Sequence, residues 1–256
     1  MSEGSEALDG LVHLEQLPEE VGKRLGPYCE EMQKIHGDRL RSIIVYGSST
    51  GVDFLPSKSD TNLLFVFNHI TAETLRSSLP QIRAGFSKRI PAPLFLTRDD
   101  IISSLDVFPL EYLEMKWNHV LLYGEDLLGD LRIDREKLRL ECEEQIRAKL
   151  IRLRQAYLEM AHRRRGVEIL LKESLSSLIP LFRGVLYLQH GTDPPVKKEE
   201  VIKAMETVLE RNAQVFLTVL HDREQDERIG EQDAQVFLGS YLSALEQLVQ
   251  VIDRME

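Results

Sequence analysis

The chain has 256 residues, 43% of them hydrophobic, and a formal net charge of -10. This acidic balance argues against a general nucleic-acid-binding protein, because binding to phosphate backbones relies on a basic surface. No apolar run approaches the roughly 20 residues needed to span a bilayer, and the N-terminus lacks a signal-peptide pattern. We therefore expect a soluble cytoplasmic protein.

The first third of the chain predicts a helix followed by two strands. Residues 1–10 are small and acidic and predict a flexible N-terminus. Residues 11–38 have apolar positions at helical spacing, with a predicted break at Gly26-Pro27. The stretch RSIIVYGS predicts a strand that ends in a glycine turn at Gly47. The run NLLFVF, which begins at Asn62, predicts a second strand covered on both faces.

The next segments predict further α/β structure. Residues 71–89 are expected to be helical, with Thr71 as the N-cap and Pro80 as a break. The stretch APLFLT, residues 92–97, predicts a third strand. The segment FPLEYLEMKWNHVLLYG, residues 108–124, has helical spacing that includes His119 and predicts one packed helix.

Beyond Gly129 the pattern becomes helical almost throughout. Amphipathic stretches over residues 134–165, 166–189, 197–220 and 232–255 predict an antiparallel bundle. The predicted fold class is therefore α/β (α+β), with a mixed β-sheet domain over residues 11–130 and a helical bundle domain over residues 131–256. The apolar face of the last helix either covers the core or binds a protein partner or second copy, and the sequence leaves both open.

One constellation of residues points to a family. Gly47-Ser48 ends an apolar strand, Asp60 stands twelve residues beyond Ser48, and a second apolar strand follows. This layout resembles the nucleotidyltransferase superfamily, and in particular bacterial aminoglycoside and minimal nucleotidyltransferases. The resemblance covers about residues 11–130, and the bundle is similar to the helical domains that often follow.

The resemblance implies a chemistry based on ATP and Mg²⁺. In this family, carboxylates from two strands hold two metal ions that clamp the attacking and leaving oxygens. Alternate residues of a strand face the same way, so an Asp-x-Asp pattern aims both carboxylates at the metal pair. Here the resemblance implies that Asp60 is the catalytic and metal-binding acid, and that Gly47 and Ser48 bind the nucleotide phosphates.

Two positions depart from the family pattern. Asn62 stands where the second acid is expected, and Phe95 stands where a neighbouring strand supplies the third. Asp53 and Asp99 are candidate substitutes, and we interpret them as a turn residue and a helix cap. With one of three carboxylates, the chain is expected to be a catalytically impaired regulatory or interaction protein that binds a nucleotide weakly or not at all. The alternative is an active Mg²⁺-dependent enzyme that transfers a nucleotidyl group from ATP to a small molecule or protein.

Overall fold

The computed structural model describes residues 10–51, 54, 59–160, 165–225 and 231–255. The chain divides into two compact units. The first comprises the residues up to Leu105 together with Glu111–Arg132, and the second comprises Asp106–Leu110 and the residues from Ile133 onwards. Among the described helices, none combines the length and apolar character needed to cross a membrane.

The first unit is built on a four-stranded mixed sheet. Its strands are β1 (Leu40–Tyr46), β2 (Asn62–Phe67), β3 (Leu94–Thr97) and β4 (His119–Gly124). Their order in the sheet is β3-β2-β1-β4. Strand β1 pairs in antiparallel fashion with both β2 and β4, whereas β2 and β3 run parallel. The parallel pair requires a crossover, which helix α2 (Ala72–Phe86) provides.

The structure confirms three predicted strands and corrects one predicted helix. Helix α4 spans only Pro109–Trp117, and His119 begins strand β4. Val120 and Leu122 are buried while Leu121 between them is half-buried, which is the period-two pattern of a strand. The prediction of a continuous helix was wrong because pairing with β1 overrides the local helical spacing.

Two predicted helix breaks are also absent. Helix α1 runs from Glu19 to His36 through Pro27, and α2 continues through Pro80. Both prolines lie on exposed faces, where each removes one helix hydrogen bond that the packing of the opposite face offsets. The predicted cap at Thr71 is confirmed, since its hydroxyl accepts a hydrogen bond from the Thr74 N–H at 3.1 Å.

One face of the sheet packs against α1. The core cluster on this face combines residues of α1 with inward-facing residues of the strands: Val21, Leu25, Tyr28, Met32, Ile43, Val45, Leu63, Phe65, Phe67 and Leu122. In β2 the cluster takes Leu63, Phe65 and Phe67. The even-numbered residues of that strand, beginning with Asn62, therefore face the opposite side. The remaining helix of this unit is α3 (Arg98–Ser103).

The second unit is a helical bundle. Its helices are α5 (Arg135–Met160), α6 (Gly166–His190), α7 (Lys198–Ala204), α8 (Glu206–Leu209), α9 (Gln214–Gln225) and α10 (Glu231–Asp253). The single helix predicted over residues 197–220 is broken into α7, α8 and α9. Glu210, whose φ of 51° no α-helix accommodates, ends α8 and begins a short 3-10 turn before α9.

Candidate functional site

The predicted nucleotide-site residues meet at one end of the sheet. Strand β1 ends at Tyr46, whose register partners are Asn62 at the start of β2 and His119 at the start of β4. Gly47 follows Tyr46 directly, and the Asn118 carbonyl accepts a hydrogen bond from its N–H at 2.8 Å. The turn after β1 and the beginnings of its two neighbours therefore form one cluster.

Gly47 is required by the geometry of this turn. Its φ is +81°, in the left-handed region that favours glycine, and an added Cβ would lie 3.4 Å from Nδ2 of Asn62. The Thr50 hydroxyl donates to the Gly47 carbonyl at 2.8 Å. Because its own N–H is bonded to Asn118, Gly47 shapes the turn, and in this conformation a phosphate would need a different donor.

The serines beside Gly47 differ in exposure. Both lie in the 3-10 turn Gly47–Thr50. Ser48 is exposed, so its hydroxyl is open to an anion from solvent. Ser49 is fully buried, and its hydroxyl has no hydrogen-bond partner among the described residues. Ser48 is thus the serine of this turn that is placed to contact a ligand.

Among the residues that the structure describes, the acidic positions are not grouped as a metal site. Asp60 is exposed and Asn62 is half-buried, two residues apart along the chain. Within the described ranges, no three His, Cys, Asp or Glu side chains are grouped so that they could hold a metal ion. A pair of magnesium ions needs several hard, charged oxygen ligands. The donor set that the structure describes does not fit two Mg²⁺ ions.

The structure separates Phe95 from Asp60 and Asn62. The Phe95 ring packs against Phe67 and Phe65, with ring centroids 4.9 and 5.7 Å apart, on the core face of the sheet. Since Asn62 faces the opposite side, Phe95 cannot occupy the third acid position of the same cleft. This corrects the register that was expected from the sequence.

The structure offers two other candidates for the third position. Strand β3 pairs Leu94 with Leu64 and Leu96 with Val66, so both leucines share the face of Asn62. Neither is acidic. The corrected register therefore still leaves β3 without a carboxylate on that face.

Of the two remaining candidate acids, Asp99 is among the described residues and is not part of the cluster. Asp53 lies outside the described residues. Asp99 is exposed in the first turn of α3, but Thr97 is the N-cap and Asp100 completes the capping box. The Asp100 carboxylate accepts from the Thr97 N–H at 2.8 Å and from its hydroxyl at 2.7 Å, and these bonds lower the pKa of Asp100. The predicted cap at Asp99 is thus replaced by this Thr97–Asp100 pair.

Sequence reasoning missed two arginines next to Asp60. The Arg24 guanidinium on α1 donates a hydrogen bond to the Thr61 hydroxyl, and the Thr61 N–H donates to the Arg89 carbonyl at 2.9 Å. Burial and the positive charge of Arg89 lower the pKa of Arg24, although Glu20 and Asp60 oppose this effect. No sequence motif links residues 24, 61 and 89, because the fold alone brings them together.

His119 also differs from its sequence interpretation. Its Nδ1 lies 2.9 Å from the Lys116 carbonyl oxygen and its Nε2 lies 3.1 Å from Oδ1 of Asp126. The ring is therefore held between two oxygen atoms, one of the backbone and one of a carboxylate. Burial alone raises the pKa of Asp126, but hydrogen bonds from Gly129 and His119 outweigh it and the net pKa is lowered. This pair fixes the turn after β4, in which the Leu128 and Gly129 N–H groups also donate to Asp126.

A comparison with solved structures identifies the architecture. The spectinomycin adenyltransferase AAD(9) from Enterococcus faecialis, crystallised with ATP and spectinomycin, matches with a TM-score of 0.54. The match covers 89% of this chain and 98% of that chain, at 14% sequence identity. This chain has a nucleotidyltransferase-like fold. At this identity the likeness shows the fold alone.

Other comparisons add little to the nucleotidyltransferase-like fold. A nucleotidyltransferase-like protein from Exiguobacterium sibiricum matches with a TM-score of 0.37 and 16% identity, over 91% of this chain and 75% of that chain. No family model matches the chain, and no curated protein matches it in sequence. Residue roles must therefore be argued from this chain's own geometry.

Proposed function

We propose that this protein is a catalytically impaired member of the nucleotidyltransferase fold that acts as a regulatory or interaction protein. The donor set carries the proposal. Asp60 is the carboxylate retained at the candidate site, Asn62 is neutral, and β3 presents leucines on that face. A single carboxylate supplies too little charge to hold two divalent ions against water and a triphosphate.

The same site supports weak binding of a nucleotide. The exposed Ser48 hydroxyl stands at the turn after β1, and the structural neighbour AAD(9) was crystallised with ATP. Binding of this kind would place the nucleotide phosphates near Ser48 and the beginning of β2. In this proposal the helical bundle unit provides the surface for a protein partner or a second copy of the chain.

A transfer assay tests the loss of catalysis. The protein is incubated with ATP labelled at the α-phosphate and Mg²⁺, in the presence of spectinomycin, other aminoglycosides or protein acceptors. We expect no label transfer above that of the Asp60→Asn variant, which controls for contaminating enzymes. Turnover that the wild type shows and Asp60→Asn lacks would overturn the proposal and establish the active-enzyme alternative.

Rebuilding the acids tests the positions themselves. We expect Asn62→Asp combined with Leu94→Glu to create Mg²⁺-dependent ATP binding, because both carboxylates would share one face with Asp60. Leu94 is 38% exposed, so a glutamate there has access to water. The matched control combines Asn62→Asp with Phe95→Glu, which places the new carboxylate on the core face. Equal binding by both double variants in calorimetric titration would contradict the corrected register.

A further inference from the structure

We propose that Arg24 and Arg89 form a metal-independent binding site for the phosphate groups of the ligand. The inference rests on the proposed loss of the metal site. Where a catalytic member of the fold compensates phosphate charge with magnesium ions, this chain has two guanidinium groups beside the retained Asp60. The ligand class is a polyphosphate anion, either free or as part of a nucleotide.

Thr61 links the two arginines by one hydrogen bond to each. It follows Asp60 directly and is completely buried. Its hydroxyl accepts from the Arg24 guanidinium, and its N–H donates to the Arg89 carbonyl. One buried residue, directly before β2, thus holds both the Arg24 side chain and the Arg89 main chain.

Arg24 has unused hydrogen-bonding capacity. Its Nε is buried, and this N–H has no partner among the residues that the structure describes. No ion pair joins its guanidinium to a carboxylate within those residues, and its side-chain hydrogen bond is to the neutral Thr61 hydroxyl. A buried donor on a cation is costly to leave unsatisfied, and an anionic oxygen is the acceptor that suits it.

Arg89 is held in an uncommon backbone conformation. Its φ is 56°, in the left-handed region that residues with side chains rarely adopt. Its side chain is exposed, and no ion pair is found for it among the described residues. This conformation ends α2, since the Ile90 N–H beyond Arg89 donates to the Gly85 carbonyl at 3.0 Å. The conformation follows α2 directly and brings the Arg89 backbone to the start of β2.

Phosphate is the anion that this arrangement fits. Guanidinium groups bind phosphate oxygens through paired hydrogen bonds in a planar geometry. Burial and then the positive charge of Arg89 lower the pKa of Arg24, whereas Glu20 and Asp60 oppose this effect, so the Arg24 guanidinium lies within range of the Arg89 charge. The exposed Ser48 hydroxyl near the start of β2 adds a neutral donor.

Titration calorimetry on the full-length chain tests the site, with EDTA present throughout the first series. The probes are tripolyphosphate, ATP and adenosine. We expect tripolyphosphate and ATP to bind without metal and adenosine not to bind. If the affinity for ATP is well above that for tripolyphosphate, the ligand of the site is a nucleotide. If the two affinities are equal, the site recognises the phosphate chain alone.

Arginine variants locate the binding. Arg24→Gln and Arg89→Gln are each expected to weaken tripolyphosphate binding about tenfold or more, as for a lost hydrogen bond to a charged group. Arg83→Gln removes an exposed arginine of α2 and is the control for general electrostatic attraction. Arg24→Lys, which keeps the charge and loses the planar fork, should weaken binding less than Arg24→Gln.

Three results would overturn the site: no binding in EDTA, binding that requires Mg²⁺, or an equal loss in Arg83→Gln. If Arg24→Gln fails to fold, Arg89→Gln still tests the site, because the Arg89 side chain is exposed and its replacement removes no core packing. The transfer assay measures turnover, whereas the calorimetric titration measures affinity without metal. Failure of the proposed function and failure of the arginine site can therefore be told apart. Metal-free phosphate binding together with Mg²⁺-dependent turnover would sink the proposed function and leave the arginine site standing.

Discussion

Lys172 in the helical bundle and Arg24 beside the sheet are both partly buried cations, but their surroundings differ. The Lys172 ammonium lies 2.9 Å from Oε1 of Glu168 and 2.9 Å from Oδ2 of Asp222. Arg165 also donates to Glu168, from Nε at 2.6 Å. Arg24 instead donates to a neutral hydroxyl and keeps a buried N–H without a partner in the described part of the chain.

The two cations therefore differ in whether carboxylates of the protein pair with them. Glu168 and Asp222 are 4% and 1% exposed, so each needs a fixed cation. Burial alone lowers the pKa of Lys172, but its bonds to Asp222 and Glu168 outweigh that effect and the pKa is raised. The charges of the bundle network are therefore paired within the protein, whereas no carboxylate pairs with the Arg24 guanidinium among the described residues.

The largest expected effect follows from removing the Lys172 ammonium from its ion pairs in the bundle. Lys172→Met leaves two buried carboxylates short of a cation and should lower the free energy of unfolding by about 3–5 kcal/mol. Urea denaturation of the full chain measures this. Lys203→Met removes an exposed lysine paired with Glu199 in the same unit and should leave stability nearly unchanged. Similar losses in both variants would show that Lys172 has no special structural role.

A smaller effect should appear on acidification. Hydrogen bonds from Arg165 lower the pKa of Glu168 to about 2, against an ordinary value of 4.5, with a further contribution from Lys172. The folded-state pKa is below the unfolded one, so this stabilisation is complete above about pH 4.5 and is lost as the pH falls toward 2. We expect the stability difference between wild type and Glu168→Gln to shrink between pH 5 and about pH 3. A difference that stays constant over this interval would contradict the low pKa.

The smallest effect is expected for Arg24. Arg24→Met removes one hydrogen bond and leaves the Thr61 hydroxyl unpaired, which should reduce the free energy of unfolding by about 1–2 kcal/mol. The measurement is the same denaturation series used for Lys172→Met. A loss as large as that of Lys172→Met would mean that Arg24 is a structural cation, and the comparison between the two units would no longer hold.

The sequence predicted the sheet where local pattern and tertiary structure agree. The run from Asn62 to Phe67 is apolar, short and bounded by polar loops, so only a buried strand fits it. The prediction for His119–Gly124 was wrong because the helical spacing of the preceding residues continues into this segment. Its strand conformation depends on pairing with β1, about 75 residues earlier in the chain. Contacts of that range leave no local signal.

The candidate site divides in the same way. Gly47 and its turn could be predicted, since a left-handed turn after a strand selects glycine. The side-chain direction of Phe95 could not, because it depends on the register between β2 and β3. Arg24 and Arg89 could not be identified from the sequence for a further reason. Whether an arginine side chain is paired with a carboxylate depends on the folded structure, and the sequence does not show it.

The central position of β1 has a consequence for synthesis on the ribosome. Its first neighbour, β2, follows within about 20 residues, but its second neighbour, β4, ends only at Gly124. At typical elongation rates of about 5–20 residues per second, one edge of the nascent β1 stays unpaired for several seconds after β2 has emerged. An unpaired apolar edge is a template for intermolecular pairing. The emerging chain is thus most exposed to aggregation, and to chaperone capture, between the synthesis of Phe67 and Gly124.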